Sequence, residues 1–189
     1  MFEAPKIILA SALLAMLPAC SSELSKEEQE ILDTRLADEQ KPTNLIAVLQ
    51  ANPDLSTAST LIGLSGVGAE LSDDGTFTAF AATNEAYNKL DADLLSGLMH
   101  SDNKDELVKV TKFELVDGSM SAADIAKAVE DGGGTASIAT LQGGMIKATM
   151  DGDKIVLEDG AGNKANVIEA DVESSNGTIH IIDAVLMPE

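Results

Sequence analysis

The sequence predicts an α+β fold in which helices come first and short strands follow. Between residues 44 and 131 apolar side chains recur at helical spacing, as at Leu45, Val48 and Leu49. From Ile138 onward the spacing changes to alternation, and turns rich in Gly and Asp separate the apolar runs. This order is typical of the α+β class, so we expect helices packed against a sandwich or wedge of short strands.

The first half is predicted to hold one strand among its helices. Ser121 and Asp124 form a predicted capping box, and Asp131-Gly132 ends the helix that it opens. The other predicted segments are a helix opened by Pro53-Asp54, a strand over Thr76–Ala81, a helix beginning at Thr83 or Asn84, a helix over Asp91–Met99, and a helix running into a strand over Asp105–Val116.

The second half is predicted to be a strand meander. The tight-turn dipeptide Asn176-Gly177 launches a final strand rich in branched residues, which suits burial on both faces. The turns at Asp73-Asp74-Gly75, Asp151–Asp153 and Asp159–Asn163 divide or precede other segments. The remaining predicted strands lie around Ile138 and over Met145–Ala148, Lys154–Leu157 and Ala165–Ile168.

The composition excludes several classes of partner. The chain carries 32 acidic against 12 basic side chains, a formal net charge of −20, which repels the phosphates of nucleic acids and anionic lipids at short range. It has four Phe, one Tyr and no Trp, so a stacking platform for bases or sugars is not expected. The acidity is explained by solubility or, alternatively, by binding to cations or basic partners.

The beginning of the chain is predicted to be a lipoprotein leader. Residues 1–19 contain the apolar run Ile7–Leu17, too short to span a bilayer but long enough for a signal-peptide core. Leu17–Cys20 resembles a bacterial lipobox, which implies lipidation of Cys20, the only cysteine of the chain. The alternative is an ordinary secretory signal. Residues 20–43 read as an acidic tether, and the domain is expected over 44–189.

Two distant segments resemble the two signature motifs of the fasciclin domain family. They are Phe80–Tyr87, which contains Thr83-Asn84, and Asn176–Pro188, which contains Gly177, His180 and Asp183. The resemblance runs from about residue 44 to residue 188. It implies a secreted or surface-tethered α+β module that mediates binding, with structural roles for Phe80, Thr83, Asn84, Asn176, Gly177, His180 and Asp183.

Two positions depart from the family pattern. Ala82 stands where the first motif usually has Pro, which is expected to loosen the chain before the helix. Phe113-Glu114 stands where the family often carries a Tyr-His pair implicated in integrin binding. Phe113 and Glu114 are therefore possible partner-binding residues, although Glu114 cannot supply an imidazole.

No residue pattern predicts an enzyme. His180 and Asp183 could serve a hydrolase, but no nucleophile elbow accompanies them. His100 is expected at the surface near a helix end. Two distant histidines argue against zinc, and the acidic turns lack the calcium-loop pattern, although a weak divalent contact is an alternative. We expect no cofactor and no metal.

The expected function is non-catalytic binding at a bacterial envelope. The lipidated Cys20 would anchor the domain, most simply in the outer membrane, with a protein or polysaccharide of the envelope or extracellular matrix as partner and no nucleic acid. The alternative is a carrier or sensor of a small apolar ligand held between the helices and the sheet.

Overall fold

The computed structural model describes residues 44–72 and 75–188. The predicted leader, Cys20, the tether and the turn residues Asp73 and Asp74 lie outside the described residues. Within these residues the chain forms six α-helices and seven strands. No helix among them is long and apolar enough to cross a lipid bilayer.

The helices lie mainly in the first half, as predicted. Three single-turn or two-turn 3-10 helices, at Pro53–Leu55, Val67–Ser72 and Ser101–Asn103, connect them. The predicted helix at Pro53 thus begins as a 3-10 turn. The α-helices are α1 (Leu45–Ala51), α2 (Ser56–Ser65), α3 (Asn84–Asn88), α4 (Ala92–Leu98), α5 (Lys104–Phe113) and α6 (Ala122–Asp131).

Polar side chains cap free N–H groups at the beginning of four of these helices, α1, α3, α4 and α6. Asn44 Oδ1 accepts a hydrogen bond from Ala47 N at the start of α1. Ser121 and Asp124 form the predicted capping box of α6, which is confirmed in both directions. Helix α6 ends at Asp131, as the following glycines predicted.

The strands form one mixed sheet. They follow the order β2-β1-β7-β6-β5-β4-β3, and every neighbouring pair is antiparallel except β1 and β7, which are parallel. The strands are β1 (Phe77–Ala82), β2 (Leu115–Asp117), β3 (Ala136–Ala139), β4 (Met145–Asp151), β5 (Lys154–Glu158), β6 (Lys164–Ser174) and β7 (Gly177–Ile182).

The two ends of the sheet approach each other. Leu141 N, just after β3, donates a hydrogen bond of 2.7 Å to Leu115 O of β2. Gln142 N donates one of 3.1 Å to Lys112 O of α5. These bonds link the β3 end of the sheet to β2 and α5, so that the sheet approaches a closed barrel, in agreement with the predicted α+β wedge.

Strand β6 is longer than the sequence suggested. It runs over 11 residues rather than ending near Ile168. Its first part pairs with β5 and its second part with β7, and the register shifts between Val167 and Val172. The irregularity bends the strand and joins the β3–β5 meander to the central strands.

Strands β1 and β7 are buried on both faces, as expected for β7. All six residues of β1 are buried, and five of the six in β7 are buried. Phe80 and Ile182 belong to a core that includes α5, α6 and the meander, whereas Ala79 and Ile179 belong to a core beneath α1. The two signature segments therefore form the centre of the domain.

Candidate functional site: the paired signature segments

The parallel pair β1–β7 brings the two signature segments together. The register places Phe80 opposite His180, and their rings stack with centroids 5.6 Å apart. Thr83 N, at the end of β1, donates to Ile182 O at 3.1 Å. Residues a hundred positions apart in sequence are thus adjacent, in one compact unit.

His180 is fully buried and uses both ring nitrogens. Nε2 lies 2.9 Å from Met120 O, and Nδ1 lies 3.4 Å from Asp171 N. Since a carbonyl accepts and an N–H donates, we assign the neutral tautomer with its proton on Nε2. Burial lowers the pKa of His180, partly offset by the Met120 carbonyl and the Asp171 carboxylate.

Asp171, whose backbone N–H donates to His180 Nδ1, lies at the bend of β6. Asp171 has φ of 59°, the one positive value of a non-glycine residue among those described. Its Oδ1 accepts a hydrogen bond of 2.7 Å from Ala122 N in the first turn of α6. His180 and Asp171 therefore fix the bend of β6 against the start of α6.

Thr83 and Asn84 link β1 to the helices. Thr83 Oγ1 caps α3 by accepting from Ala86 N at 3.2 Å. Asn84 Oδ1 accepts from Thr57 N at 2.9 Å, and its Nδ2 donates to Pro53 O at 2.9 Å. The amide of Asn84 thereby joins α3 to the beginning of α2.

Asn176 and Gly177 perform a similar task at the other end of the pair. Asn176 Oδ1 accepts from Leu45 N at 2.8 Å, and Nδ2 donates to Leu71 O at 2.6 Å. At Gly177 a Cβ atom would lie 1.9 Å from Phe77 O, so only glycine permits this approach of the two strands. Asn176 therefore links α1 to the sheet, and the absence of a side chain at Gly177 allows β1 to approach β7 closely.

Asp183 closes the end of β7 with a two-pronged contact. Oδ1 accepts from Asn166 N at 2.7 Å, and Oδ2 accepts from Asn166 Nδ2 at 2.8 Å. Lys89 Nζ donates to the Asp183 carbonyl at 2.9 Å. Both carboxylate oxygens of Asp183 are therefore engaged by Asn166.

The fold and these contacts define a small α+β module built around two paired motifs, and the comparisons identify it. The Fasciclin domain model matches residues 53–188, so the chain belongs to the fasciclin domain family. The family predicted from the two motifs is therefore confirmed. This is a family of non-enzymatic modules, which confirms the prediction that the protein is not an enzyme.

Relatives of the chain occur in bacteria and animals. Protein sll1483 of Synechocystis is 31% identical over 100% of this chain and 99% of its own length. Human periostin is 32% identical over 78% of this chain but 16% of its own length. The immunogenic protein MPB70 of Mycobacterium bovis is 32% identical over 77% of this chain and 63% of its own length. The match thus covers only part of the length of periostin and of MPB70.

A solved structure supports the fold. A FAS1 domain pair from the insect cell adhesion molecule Fasciclin I superimposes with a TM-score of 0.70 and 21% sequence identity. The match covers 78% of this chain and 51% of that chain. It confirms the predicted fold class.

A surface recess lies where the two signature segments end. It has a volume of about 390 Å³. Its charged groups are three carboxylates and one ammonium, and the exposed Ile168 contributes an apolar wall. The lining comprises Asp54, Thr83, Asn84, Glu85, Lys89, Ile168 and Asp183. This recess is open and mainly acidic.

The structure corrects the expectation that Phe113 and Glu114 present a binding surface. They are 2% and 9% exposed, because Phe113 ends α5 with its ring in the core and Glu114 turns the chain into β2. Phe113 forms the floor of a second open groove, of about 550 Å³, beside Gln142–Met145. A partner could reach this groove but would not contact the Glu114 carboxylate.

The burial of three polar residues, Tyr87, Glu114 and Asp159, was not predicted from the sequence. Asp159 is 1% exposed, and its oxygens accept from Asn163 N at 2.8 Å, Asn163 Nδ2 at 2.9 Å and Met187 N at 3.1 Å. It holds the predicted turn and the end of the chain together. Tyr87 and Glu114 form a buried hydrogen-bonded pair. The Asp-x-x-x-Asn spacing signals such a turn, but no local pattern reveals that the carboxylate is buried.

The remaining candidates for chemistry lie apart. His100 is exposed after α4, as predicted. Among residues 44–72 and 75–188, no three His, Cys, Asp or Glu side chains are grouped so as to hold a metal ion. The polar groups of the signature segments are engaged in internal hydrogen bonds, so their arrangement positions secondary structure rather than a reacting group.

Proposed function

We propose that this domain is a binding module of a bacterial envelope, anchored through a lipid on Cys20 and docking to another surface protein or polysaccharide. The observation that carries the proposal is that the signature segments form internal hydrogen bonds and not a reactive site. The polar side-chain atoms of these segments form internal hydrogen bonds, as seen for His180, Asn84, Asn176 and Asp183. The surfaces that remain for recognition are the acidic recess and the groove beside Gln142–Met145.

The relatives support a role in attachment. The insect protein of similar fold is named a cell adhesion molecule, and periostin contains a segment similar to this chain. The net charge of −20 favours a partner with basic groups, because complementary charge accelerates encounter and suppresses unlike partners. The recess around Asp54 and Glu85 carries this charge at the end of the signature segments.

The packing gives less support to a carrier of small apolar ligands. The cavity between the helices and the sheet has a volume of about 20 Å³. A bound drug-sized or pigment-sized molecule needs hundreds of cubic ångströms. A carrier would therefore require the helices to separate from β1.

Anchoring is tested in the full-length chain with Cys20→Ser, expressed in a bacterium that processes lipoproteins. We expect the wild type in the membrane fraction and the variant in the soluble fraction, because acyl chains supply the membrane affinity. The matched control is Ser22→Ala, which leaves the cysteine in place. A Cys20→Ser protein that still sediments with membranes would contradict the lipid anchor.

Docking is tested by pull-down from envelope extract with the wild type and with Asp54→Asn/Glu85→Gln. We expect the double variant to retain less of the partner, and the difference to shrink at high salt, since exposed charges are screened. Glu130→Gln on the exposed face of α6 and Asp131→Asn beside it provide the control for charge alone. Equal retention by the recess variant and the control would assign recognition to another surface.

A further inference from the structure

A small cavity lies beneath α5, between the helices and β1. Its volume is about 20 Å³, and apolar side chains of α1, α2, α5 and β1 form most of its wall. Three polar residues also line it, Tyr87 from α3, Thr111 from α5 and Glu114 from the turn after α5. Tyr87, Thr111 and Glu114 are all buried, so the cavity is an apolar chamber with one polar corner.

The carboxyl group of Glu114 is incompletely paired at this corner. Oε2 accepts a hydrogen bond of 3.4 Å from Tyr87 Oη. Oε1 has no hydrogen-bond partner, and within residues 44–72 and 75–188 it is the buried side-chain oxygen of which this is true. Buried polar atoms almost always have a partner in the protein or in an ordered water molecule. Glu114 Oε1 is therefore a buried hydrogen-bonding group to which the described residues supply no partner.

We propose that the cavity is a binding site for one water molecule, held by Oε1 of Glu114. The volume fits, since a cavity needs about 10–15 Å³ of this kind to hold a water molecule. A buried water also needs two to four polar partners, and Tyr87 and Thr111 line the same space. The cavity is too small for an organic ligand.

The protonation state of Glu114 gives the water a specific task. Burial raises the pKa of Glu114 to about 8. The Leu186 backbone N–H, which lies near the carboxyl group but does not form a hydrogen bond of good geometry with Oε1, and the Tyr87 hydroxyl oppose this effect more weakly. At neutral pH the side chain is therefore a neutral acid, with a hydroxyl donor and a carbonyl acceptor. Tyr87 occupies Oε2, so the proton belongs on Oε1, where the water accepts it.

A cation is a poorer occupant than water. Hard cations take six or more oxygen ligands, whereas the corner offers three polar side chains and a mainly apolar wall. A neutral acid would also provide no compensating charge. The chemistry of the corner thus favours a neutral hydrogen-bonding molecule of the size of water.

The first test is a crystal structure of the full chain at a resolution that shows ordered internal water. We expect one water within hydrogen-bond distance of Glu114 Oε1, retained in Glu114→Gln and absent in Glu114→Met, whose apolar side chain has similar length. A dry cavity in the wild type overturns the proposal, as does a water that stays in Glu114→Met. If the Met variant does not fold, the wild type and Glu114→Gln decide.

The second test follows the Glu114 side chain by ¹³C carboxyl NMR during a pH titration. We expect a midpoint near 8 in the wild type. Glu130→Gln removes one glutamate signal from the exposed face of α6 and serves as the assignment control. A Glu114 midpoint in the ordinary glutamate range, near 4.5, overturns the neutral acid and with it the hydrogen bond that it donates to the water.

Discussion

His180 and Glu114 are both buried titratable residues, and they are built in opposite ways. His180 is bonded at both ring nitrogens, to the carbonyl of Met120 and the N–H of Asp171. Glu114 is bonded at Oε2, and Oε1 is left without a protein partner. The first side chain joins fixed backbone groups, whereas the second borders a cavity.

The comparison teaches how burial acts on acids and bases. In both cases low polarity favours the uncharged form, which lowers the pKa of His180 and raises that of Glu114. The pH dependences of stability therefore have opposite signs. Acid charges His180 and destabilises the sheet, while alkali charges Glu114 and destabilises the packing of α5 on β1.

The largest expected effect is the pH dependence caused by Glu114. Its pKa rises from 4.5 in the unfolded chain to about 8 in the fold, so the folded state binds the proton more tightly. The free energy of unfolding contributed by this group is greatest below pH 4.5, falls as pH rises and is lost above about 8. At about 1.4 kcal/mol per pKa unit the loss is on the order of 5 kcal/mol.

The measurement is urea unfolding of the wild type and Glu114→Gln at a series of pH values. The difference between the two isolates Glu114 from the repulsion among the other carboxylates. Tyr87 is the titratable group that faces Glu114, and burial followed by the Glu114 charge raises its pKa well above 10, so it stays neutral through this window. If the free energies of unfolding of the two proteins changed in parallel with pH, the pH dependence attributed to Glu114 would be wrong.

The second largest expected effect is the loss of stability when the His180 side chain is removed. We expect His180→Ala to lower the free energy of unfolding by about 3–4 kcal/mol, because it removes a buried ring and leaves Met120 O and Asp171 N unpaired. Urea unfolding at pH 8 measures it. His100→Ala is the control, and as an exposed substitution it should change stability by no more than about 0.5 kcal/mol.

The pH profile of His180→Ala sharpens this result. Since the folded pKa of His180 lies below 6.5, its neutral form stabilises the fold fully above pH 6.5, and this contribution declines as pH falls. The difference between wild type and variant should therefore shrink on acidification. A difference that grows in acid would mean that the charged imidazole is the form that the fold prefers.

The smallest effect is expected at Asn84, which lies on the helix that carries Tyr87. Asn84→Ala should cost about 1–2 kcal/mol, because it removes bonds to Thr57 N and Pro53 O that join α3 to α2. Hydrogen exchange should accelerate in α2 and α3, on the Glu114 side, and stay unchanged in β7 around His180. Exposed Asn88→Ala is the control, and faster exchange in β7 would show that the two regions are not independent.

Much of the fold was predictable from local patterns. The capping box at Ser121 and the end of α6 depend on neighbouring residues alone, and both appear as predicted. The Asn176-Gly177 turn and the branched run after it predicted β7. The length of β6 was missed, because Glu169–Glu173 is acidic and exposed and its strand form depends on pairing with β7.

The candidate site residues also differ in how far the sequence alone predicted them. The signature motifs identified Phe80, Thr83, Asn84 and His180 in the sequence, but their contacts with Met120, Asp171 and Pro53 required the fold. Glu114 was read as a possible partner-binding residue from its place in a motif. Its burial reverses that interpretation, since exposure depends on how α5 meets β1 and not on neighbouring sequence.

The sequence by itself determined the family, the helix-then-strand order and the acidic surface, because periodicity, capping and charge are properties of short segments or of composition. The tertiary structure alone decided that His180 is satisfied while Glu114 is not. The reason is physical: the pKa and hydrogen bonding of a buried group depend on the atoms within a few ångströms of it, and here those atoms come from distant parts of the chain.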